Sequence, residues 1–288
     1  MDIASITQVV FSGIILGGLY SFLTYGLSLS FGIMKVVNFA YGEIITLGMF
    51  TDYWIWRILG IDPILSLAIC VPIFFLVGIV FQRIFIQPII EAPHNSQMAS
   101  TFAAVFILQN LALLLWSPDP RVVQTSYQGI IVDFFGLYTT QGRLLGLVAM
   151  IAVSIFLITF MARTKAGLVM RATSQDFRAA QLMGVNIKKV YLLAGGFSAA
   201  ITMLACAFLN LIYFVSPFAG VPFVMIAFIV LAIGGLGSIK GTVIAGFIVA
   251  LLETFSGFYS FSAKEVIIYL IFILVLLFRP RGIFGEKL

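Results

Sequence analysis

Apolar residues run along this chain in long blocks, with brief polar interruptions and no alternation at period two. A membrane-crossing helix needs about 20 mostly apolar residues. Blocks of that kind fall near 6–31, 37–59, 64–86, 98–116, 143–162, 190–214, 222–238, 241–259 and 264–279. Only helices and closed barrels satisfy their backbone groups inside a bilayer, and the missing alternation excludes a barrel. The pattern predicts an all-α, polytopic transmembrane bundle, with residues 1–288 forming a single domain. Nine complete crossings are one count; two glycine-rich interruptions make the expected range 8–10.

The long polar interval, Arg163 to Lys189, orients the rest. It holds Arg163, Lys165, Arg171, Arg178, Lys188 and Lys189 against one acid, Asp176. The positive-inside rule places such a loop in the cytoplasm. Counting outward puts the N-terminus outside and the C-terminus inside. Twelve basic residues then face inward (Lys35, Arg83, the six above, Lys240, Arg279, Arg281 and Lys287), and Arg57, Arg121, Arg143 and Lys264 face outward. The middle of the interval predicts a short helix. Thr173 and Asp176 have capping-box spacing, Phe177, Ala180 and Met183 share a face, and Gly184 followed by Asn186 is a stop signal. So short a helix needs support. It either lies on lipid headgroups or inserts into a groove on a soluble partner.

Two interruptions crowd polar and glycine residues into apolar surroundings. The first gathers Lys35, Asn38, Tyr41, Gly42 and Glu43; the second gathers Gly234, Gly235, Gly237, Ser238 and Gly241, and its run ends at Glu253. They occupy corresponding positions in the two halves, which points to broken helices, an inverted repeat and a pathway between the halves. Glu43 and Glu253 read as membrane-embedded carboxylates, a costly placement that favours a bundle interior, a partner or a water path. Glu253 is open to two readings, an interhelical hydrogen-bond pin or a functional group. Glu43 has Asn38 and Tyr41 within about one and a half turns. The spacings of Gly13, Gly17 and Gly18, and of Gly42 and Gly48, suit close helix packing.

Composition sharpens this picture by exclusion. Charged residues make up 9% and mean hydropathy is +1.16, against about 25% charged in soluble domains, so little mass lies outside the bilayer. The pI near 9.3 reflects loop charges, and no basic stripe interleaved with aromatics suggests nucleic acid. Cys70 and Cys206 sit in separate blocks and the lone His94 in a polar turn, so no metal site is expected. Asp2 and the length of the first block argue against a cleavable signal. Neither a GxxxxGK[ST] phosphate loop nor a GxSxG elbow is present. The chain reads as a non-enzyme without a cofactor.

Four blocks in order carry a family resemblance: GGLYSFLTYGLSLSFGIMKVVNFAYGEIITLG, RATSQDFRAAQLMGVN, FIVLAIGGLGSIKGTVIAGFIVALLE and RPRGIFG. Together they resemble the permease subunits of bacterial ABC importers for branched-chain, hydrophobic amino acids, in particular the shorter of the two paired permeases. The resemblance implies a pore subunit in the bacterial inner membrane, with a second related permease, two cytoplasmic ATP-binding subunits and an extracytoplasmic substrate-binding protein. It makes Arg171, Ala172, Thr173, Asp176, Phe177, Ala180, Met183 and Gly184 the element coupled to an ATPase. Asn38, Tyr41, Gly42 and Glu43, with Gly234, Gly235, Gly237 and Ser238, would line the path. Apart from the resemblance, charge matching alone suggests that Glu43 meets a substrate ammonium and free N–H groups at a broken helix its carboxylate. Alternatives are a permease for urea, short amides or other amino acids, or an ion-coupled secondary transporter using Glu43 or Glu253.

Overall fold

The computed structural model describes residues 3–125, 127–134, 136–260, 264–279 and 282–284. Arg281 and Lys287, counted above among the inward charges, lie outside the described residues. Each apolar block forms a helix: α1 (Ile3–Met34), α2 (Tyr41–Leu59), α3 (Pro63–Phe81), α4 (His94–Trp116), α5 (Gln141–Arg163), α8 (Ile187–Asn210), α9 (Gly220–Gly234), α10 (Ile239–Tyr259) and α11 (Lys264–Phe278). The polar interval adds α6 (Lys165–Gln175) and α7 (Phe177–Leu182).

Local chemistry sets these limits. Gly60, at φ 66, closes α2 with its N–H on the Trp56 carbonyl. Asp62 then starts α3 by accepting the Ile64 N–H at 2.9 Å, with Pro63 at the first helical position. The helix α3 runs on through a π turn (Gln82–Ile86) and a 3₁₀ turn (Gln87–Ile89).

Six segments among the described residues are long and apolar enough to cross a membrane: Ala4–Met34, Pro63–Ile89, His94–Trp116, Gln141–Arg163, Ile187–Asn210 and Ile239–Tyr259. The other three differ for physical reasons. Fifteen residues each in α9 and α11 make about 22 Å of helix, against a hydrocarbon core of about 30 Å. The helix α2 carries Glu43, Asp52 and Arg57 in its 19 residues.

One feature was not legible in the apolar pattern. The interval between α4 and α5 folds into an antiparallel hairpin, β1 (Ile131–Phe134) with β2 (Leu137–Thr140), Ile131 facing Thr140. Gly136, at φ 85, supplies the turn and donates its N–H to Asp133 Oδ1 at 2.7 Å.

The long helix α1 sits at the centre, against α5, α8, α9 and α10. Its first turns meet the hairpin, where Gln8 Oε1 accepts the Tyr138 N–H at 2.9 Å. Its last turn meets the π turn that follows α3, where Gln82 Nε2 lies 2.9 Å from Met34 Sδ. The loops therefore sort to two ends: the hairpin, residues 60–62 and the start of α11 at one, and the α6–α7 interval and the α9–α10 break at the other. Lipid offers no hydrophobic drive between helices, so close packing of small residues holds the bundle. Gly13 and Gly17 face Leu251 and Phe247 of α10, and Gly48 faces Cys206 of α8. Both cysteines are buried and free.

Candidate translocation site and coupling segment

The first break turns the chain back into the bundle. After Met34 the backbone reverses at Lys35 (φ 55), and Asn38 Oδ1 accepts the Ala40 N–H at 3.1 Å. Tyr41 then opens α2, its hydroxyl donating to the Leu23 carbonyl at 2.6 Å and accepting from Thr202 Oγ1 at 2.8 Å. Leu23 lies eleven residues before the end of α1, about 16 Å of helix, so α2 starts deep inside the bundle. Ser198 Oγ, on the Gly26 carbonyl at 2.7 Å, completes the polar shell. Buried polar groups without partners would be expensive here.

A second helix, the one expected near 222–238, starts at the same depth, a placement its apolar pattern does not reveal. The helix α8 ends at Asn210, and residues 211–219 fold back before α9 begins at Gly220. The Gly220 N–H donates to Thr46 Oγ1 at 3.0 Å. A methyl on Gly42 would lie 3.1 Å from the Gly220 carbonyl oxygen, and one on Gly220 would overlap the Gly42 carbonyl. The N-termini of α2 and α9 therefore meet backbone to backbone. The available signal was the turn-rich string Ser216-Pro217-Phe218-Ala219-Gly220-Val221-Pro222 ahead of an apolar run.

Glu43 sits in the first turn of α2 and is 2% exposed. Its Oε2 is buried and accepts no hydrogen bond, and no ion pair reaches it among the described residues. Helix N-termini favour negative charge, which supports a carboxylate there. Glu253 differs. It accepts from Tyr20 Oη at 2.6 Å and pairs with Lys264 Nζ at 3.0 Å, so it ties α1, α10 and α11 together as a pin.

The second break lies elsewhere. Gly235 (φ 100) and Gly237 (φ 85) end α9, and Ser238 Oγ caps α10 by accepting the Gly241 N–H at 3.1 Å. Gly237 packs on the Gly32 backbone in the last turn of α1, and the Ile283 N–H reaches the Ile233 carbonyl at 2.8 Å. Gly220 and Gly234 are the two ends of α9, about 21 Å apart. Asn38, Tyr41, Gly42 and Glu43 thus gather with Thr46 and Gly220. Gly234, Gly235, Gly237 and Ser238 form a separate cluster at the far end of α9.

Two supports above the site were also missed. Asp52, fully buried, accepts from Ser66 Oγ at 2.6 Å and Asn210 Nδ2 at 2.7 Å, clamping α2, α3 and α8. Its place in the string Thr51-Asp52-Tyr53-Trp54-Ile55-Trp56-Arg57 looks like a solvated helix end. Arg121 bridges through its backbone to Val215 at 2.8 and 2.7 Å, with its guanidinium 5.0 Å from the Trp54 ring centroid. That contact fixes the 211–219 segment over α2. Nearby, burial and the Asp62 carboxylate, which accepts its hydroxyl at 2.9 Å, push the Tyr127 phenol up.

The polar interval holds two helices where one was expected. Thr164 caps α6, accepting the Gly167 N–H at 3.0 Å. Thr173 is inside α6, buried, with its hydroxyl on the Val169 carbonyl at 2.9 Å, so it caps nothing. The cap of α7 is Asp176, whose Oδ1 accepts from the Arg178 and Ala179 N–H groups at 2.9 and 3.0 Å. Phe177, Ala180 and Met183 do not share an environment: Ala180 is buried, while Phe177 and Met183 are exposed. Leu182, unmarked by the sequence reading, is 89% exposed. Gly184 (φ 85) ends the turn as expected, but Asn186 caps α8 by accepting the Lys189 N–H at 3.1 Å. Arg171 and Ala172 are exposed on α6.

Known proteins resemble this chain along nearly its whole length. Residues 9–276 match the family described as "Branched-chain amino acid transport system / permease component". The chain is 28% identical to the high-affinity branched-chain amino acid transport system permease protein LivH of Escherichia coli K12, covering 97% of this chain and 95% of that one. BraD of Pseudomonas aeruginosa, which bears the same description, is 26% identical over the same shares. A probable branched-chain amino acid transport permease protein, LivH of Methanocaldococcus jannaschii, is 27% identical over 94% and 90%. No solved structure matches. A helical bundle with six membrane-length apolar segments, matched along nearly its whole length, makes this chain a member of the branched-chain amino acid permease family of multi-pass membrane transport proteins.

Proposed function

We propose that this chain forms one half of the translocation path of an ABC importer for branched-chain or other hydrophobic amino acids. It works beside a second, related permease. Two cytoplasmic ATP-binding subunits hydrolyse ATP, and an extracytoplasmic protein delivers substrate. The observation that carries this reading is the family match across residues 9–276, which takes in both helix starts at the buried Glu43. In this reading Glu43 meets the substrate ammonium during passage, between two helix N-termini at mid-bundle.

The orientation follows from charge. Ten described basic residues belong to segments at the α6–α7 end: Lys35, Arg83, Arg163, Lys165, Arg171, Arg178, Lys188, Lys189, Lys240 and Arg279. Four belong to the other: Arg57, Arg121, Arg143 and Lys264. The α6–α7 end is therefore cytoplasmic, with the N-terminus outside and the C-terminus inside. The interval 163–189 couples to an ATPase, and the exposed Phe177, Leu182 and Met183 are the apolar contacts a groove would take.

Reconstitution into liposomes tests the whole reading. Radiolabelled leucine should accumulate only when the second permease, the ATPases, the binding protein and ATP are all present. Accumulation by the chain alone, driven by an ion gradient, overturns the proposal.

A further inference from the structure

A substrate amino acid carries a carboxylate as well as an ammonium, and the mid-bundle site provides little for it. The first N–H of α9, at Gly220, is held by Thr46 Oγ1, and the Tyr41 and Glu43 N–H groups are held by the Asn38 and Ala40 carbonyls. The Gly241 N–H at the other break is held by Ser238. A charged partner for the carboxylate lies elsewhere along the route.

One cation at the hairpin end of the bundle is placed to serve. Arg143, in the first turn of α5, has no hydrogen bond or ion pair among the described residues and is exposed. It borders a cavity of about 110 Å³ between α1, α5, α10 and the segment after α8. Ile15, Leu16, Leu19 and Ile212 give the lining an aliphatic part, and Tyr213 with three hydroxyl side chains gives it a polar part. Tyr213 lines the same cavity as Arg143. Its ring packs edge-on against Phe223, centroids 5.0 Å apart, and Phe223 is in the first turn of α9. The cavity thus adjoins the segment that leads down to Gly220 and Gly42.

We propose that this cavity is a receiving site for the aliphatic α-amino acid, with Arg143 binding its carboxylate and the Ile15–Leu16–Leu19–Ile212 wall taking its side chain. The ligand then passes along Phe223 toward Glu43. The site rests on the transport reading above and adds a substrate-binding residue to it. A guanidinium pairs bidentately with a carboxylate, so charge and shape both matter.

The test uses the assembled importer in lipid nanodiscs without the binding protein, with direct binding of labelled L-leucine as readout. Arg143→Gln should weaken binding at least tenfold, and Arg143→Lys should recover only part of it. Arg57→Gln, also at the hairpin end but away from the cavity, should bind as the unaltered protein does. L-Leucinamide, which lacks the carboxylate, should fail to compete on unaltered protein, an arm that needs no variant to fold. Equal competition by the amide, or unchanged binding in Arg143→Gln, overturns the site. A complete importer that takes up no branched-chain amino acid defeats the transport reading instead, and the two failures are separable.

Discussion

Replacing Gly220 with alanine tests whether the two buried helix starts must touch. The φ angle of Gly220 lies outside the left-handed region, so alanine meets no backbone strain and any effect comes from space. The new methyl would lie 2.6 Å from the Gly42 carbonyl carbon and 2.6 Å from Thr46 Oγ1, and would overlap the Gly42 oxygen. Carbon contacts of that kind do not occur below 3.0 Å. Two of the three obstacles are backbone atoms that cannot rotate aside, so α9 must withdraw and its Gly220 N–H must leave Thr46. Overpacking costs about 1–3 kcal/mol and an orphaned buried donor a further 1–3 kcal/mol, about 2–6 kcal/mol together. The assay is unfolding in mixed micelles titrated with sodium dodecyl sulfate, followed by fluorescence of Trp54, Trp56 and Trp116. Gly129→Ala, where nothing lies within 4 Å, is the control. Adding Thr46→Ala should not rescue Gly220→Ala, because the Gly42 carbonyl remains in the way. If Gly220→Ala unfolds at the same detergent fraction as Gly129→Ala, the helix starts are not in the contact described.

Other perturbations have equally definite outcomes. Glu43→Gln keeps the shape and removes the charge; losing a charged hydrogen bond of about 1.5–3 kcal/mol should lower uptake about 10- to 150-fold. Unaltered uptake with an unaltered substrate profile removes Glu43 from the path. Asp52→Ala and Asn210→Ala should couple by about 0.5–3 kcal/mol in a double-mutant stability cycle; strict additivity would show that their 2.7 Å bond carries no energy. Leu182→Asp and Met183→Asp lie on exposed positions and should change stability by less than about 0.5 kcal/mol. Both should abolish co-purification of the ATP-binding subunits, and intact co-purification removes α7 from the coupling surface.

The bundle was readable because length and apolarity alone report burial in lipid. What they report poorly is depth. The block at 37–59 looked like a crossing that began just after α1, yet Tyr41 reaches Leu23, which makes the helix start inside. Likewise the block at 190–214 hid the end of α8 at Asn210 and the re-entry after it. Gly220 passed unmarked because its partner is 178 positions away in the chain, and a glycine demanded by a tertiary contact carries no local signature. Asp52 was overlooked for a related reason: aromatic and basic neighbours suggested a helix end in water, while Ser66 and Asn210 enclose it. Glu43 could be found because a lone carboxylate in an apolar run stands out whatever it touches. Thr173 misled because its spacing to Asp176 fits a capping box, while the true cap is Asp176 itself, one helix later.

The electrostatics of the mid-bundle site bear on which cargo it can pass. Each helix start contributes a partial positive charge of about half a unit, so the facing starts of α2 and α9 together roughly offset an ionised Glu43. On the proposed reading, a zwitterion enters such a site without changing its net charge, whereas a bare cation or anion would add an uncompensated charge in low dielectric. The Tyr41, Glu43 and Gly220 N–H groups are already bonded within the protein, so the mid-bundle point grips the carboxylate end of the cargo weakly. Gripping the carboxylate at Arg143 first and the ammonium at Glu43 later keeps any single stop shallow. A path built from two partial grips lets an amino acid leave toward the cytoplasmic end as readily as it entered. Selectivity at high affinity then belongs to the protein that delivers the substrate.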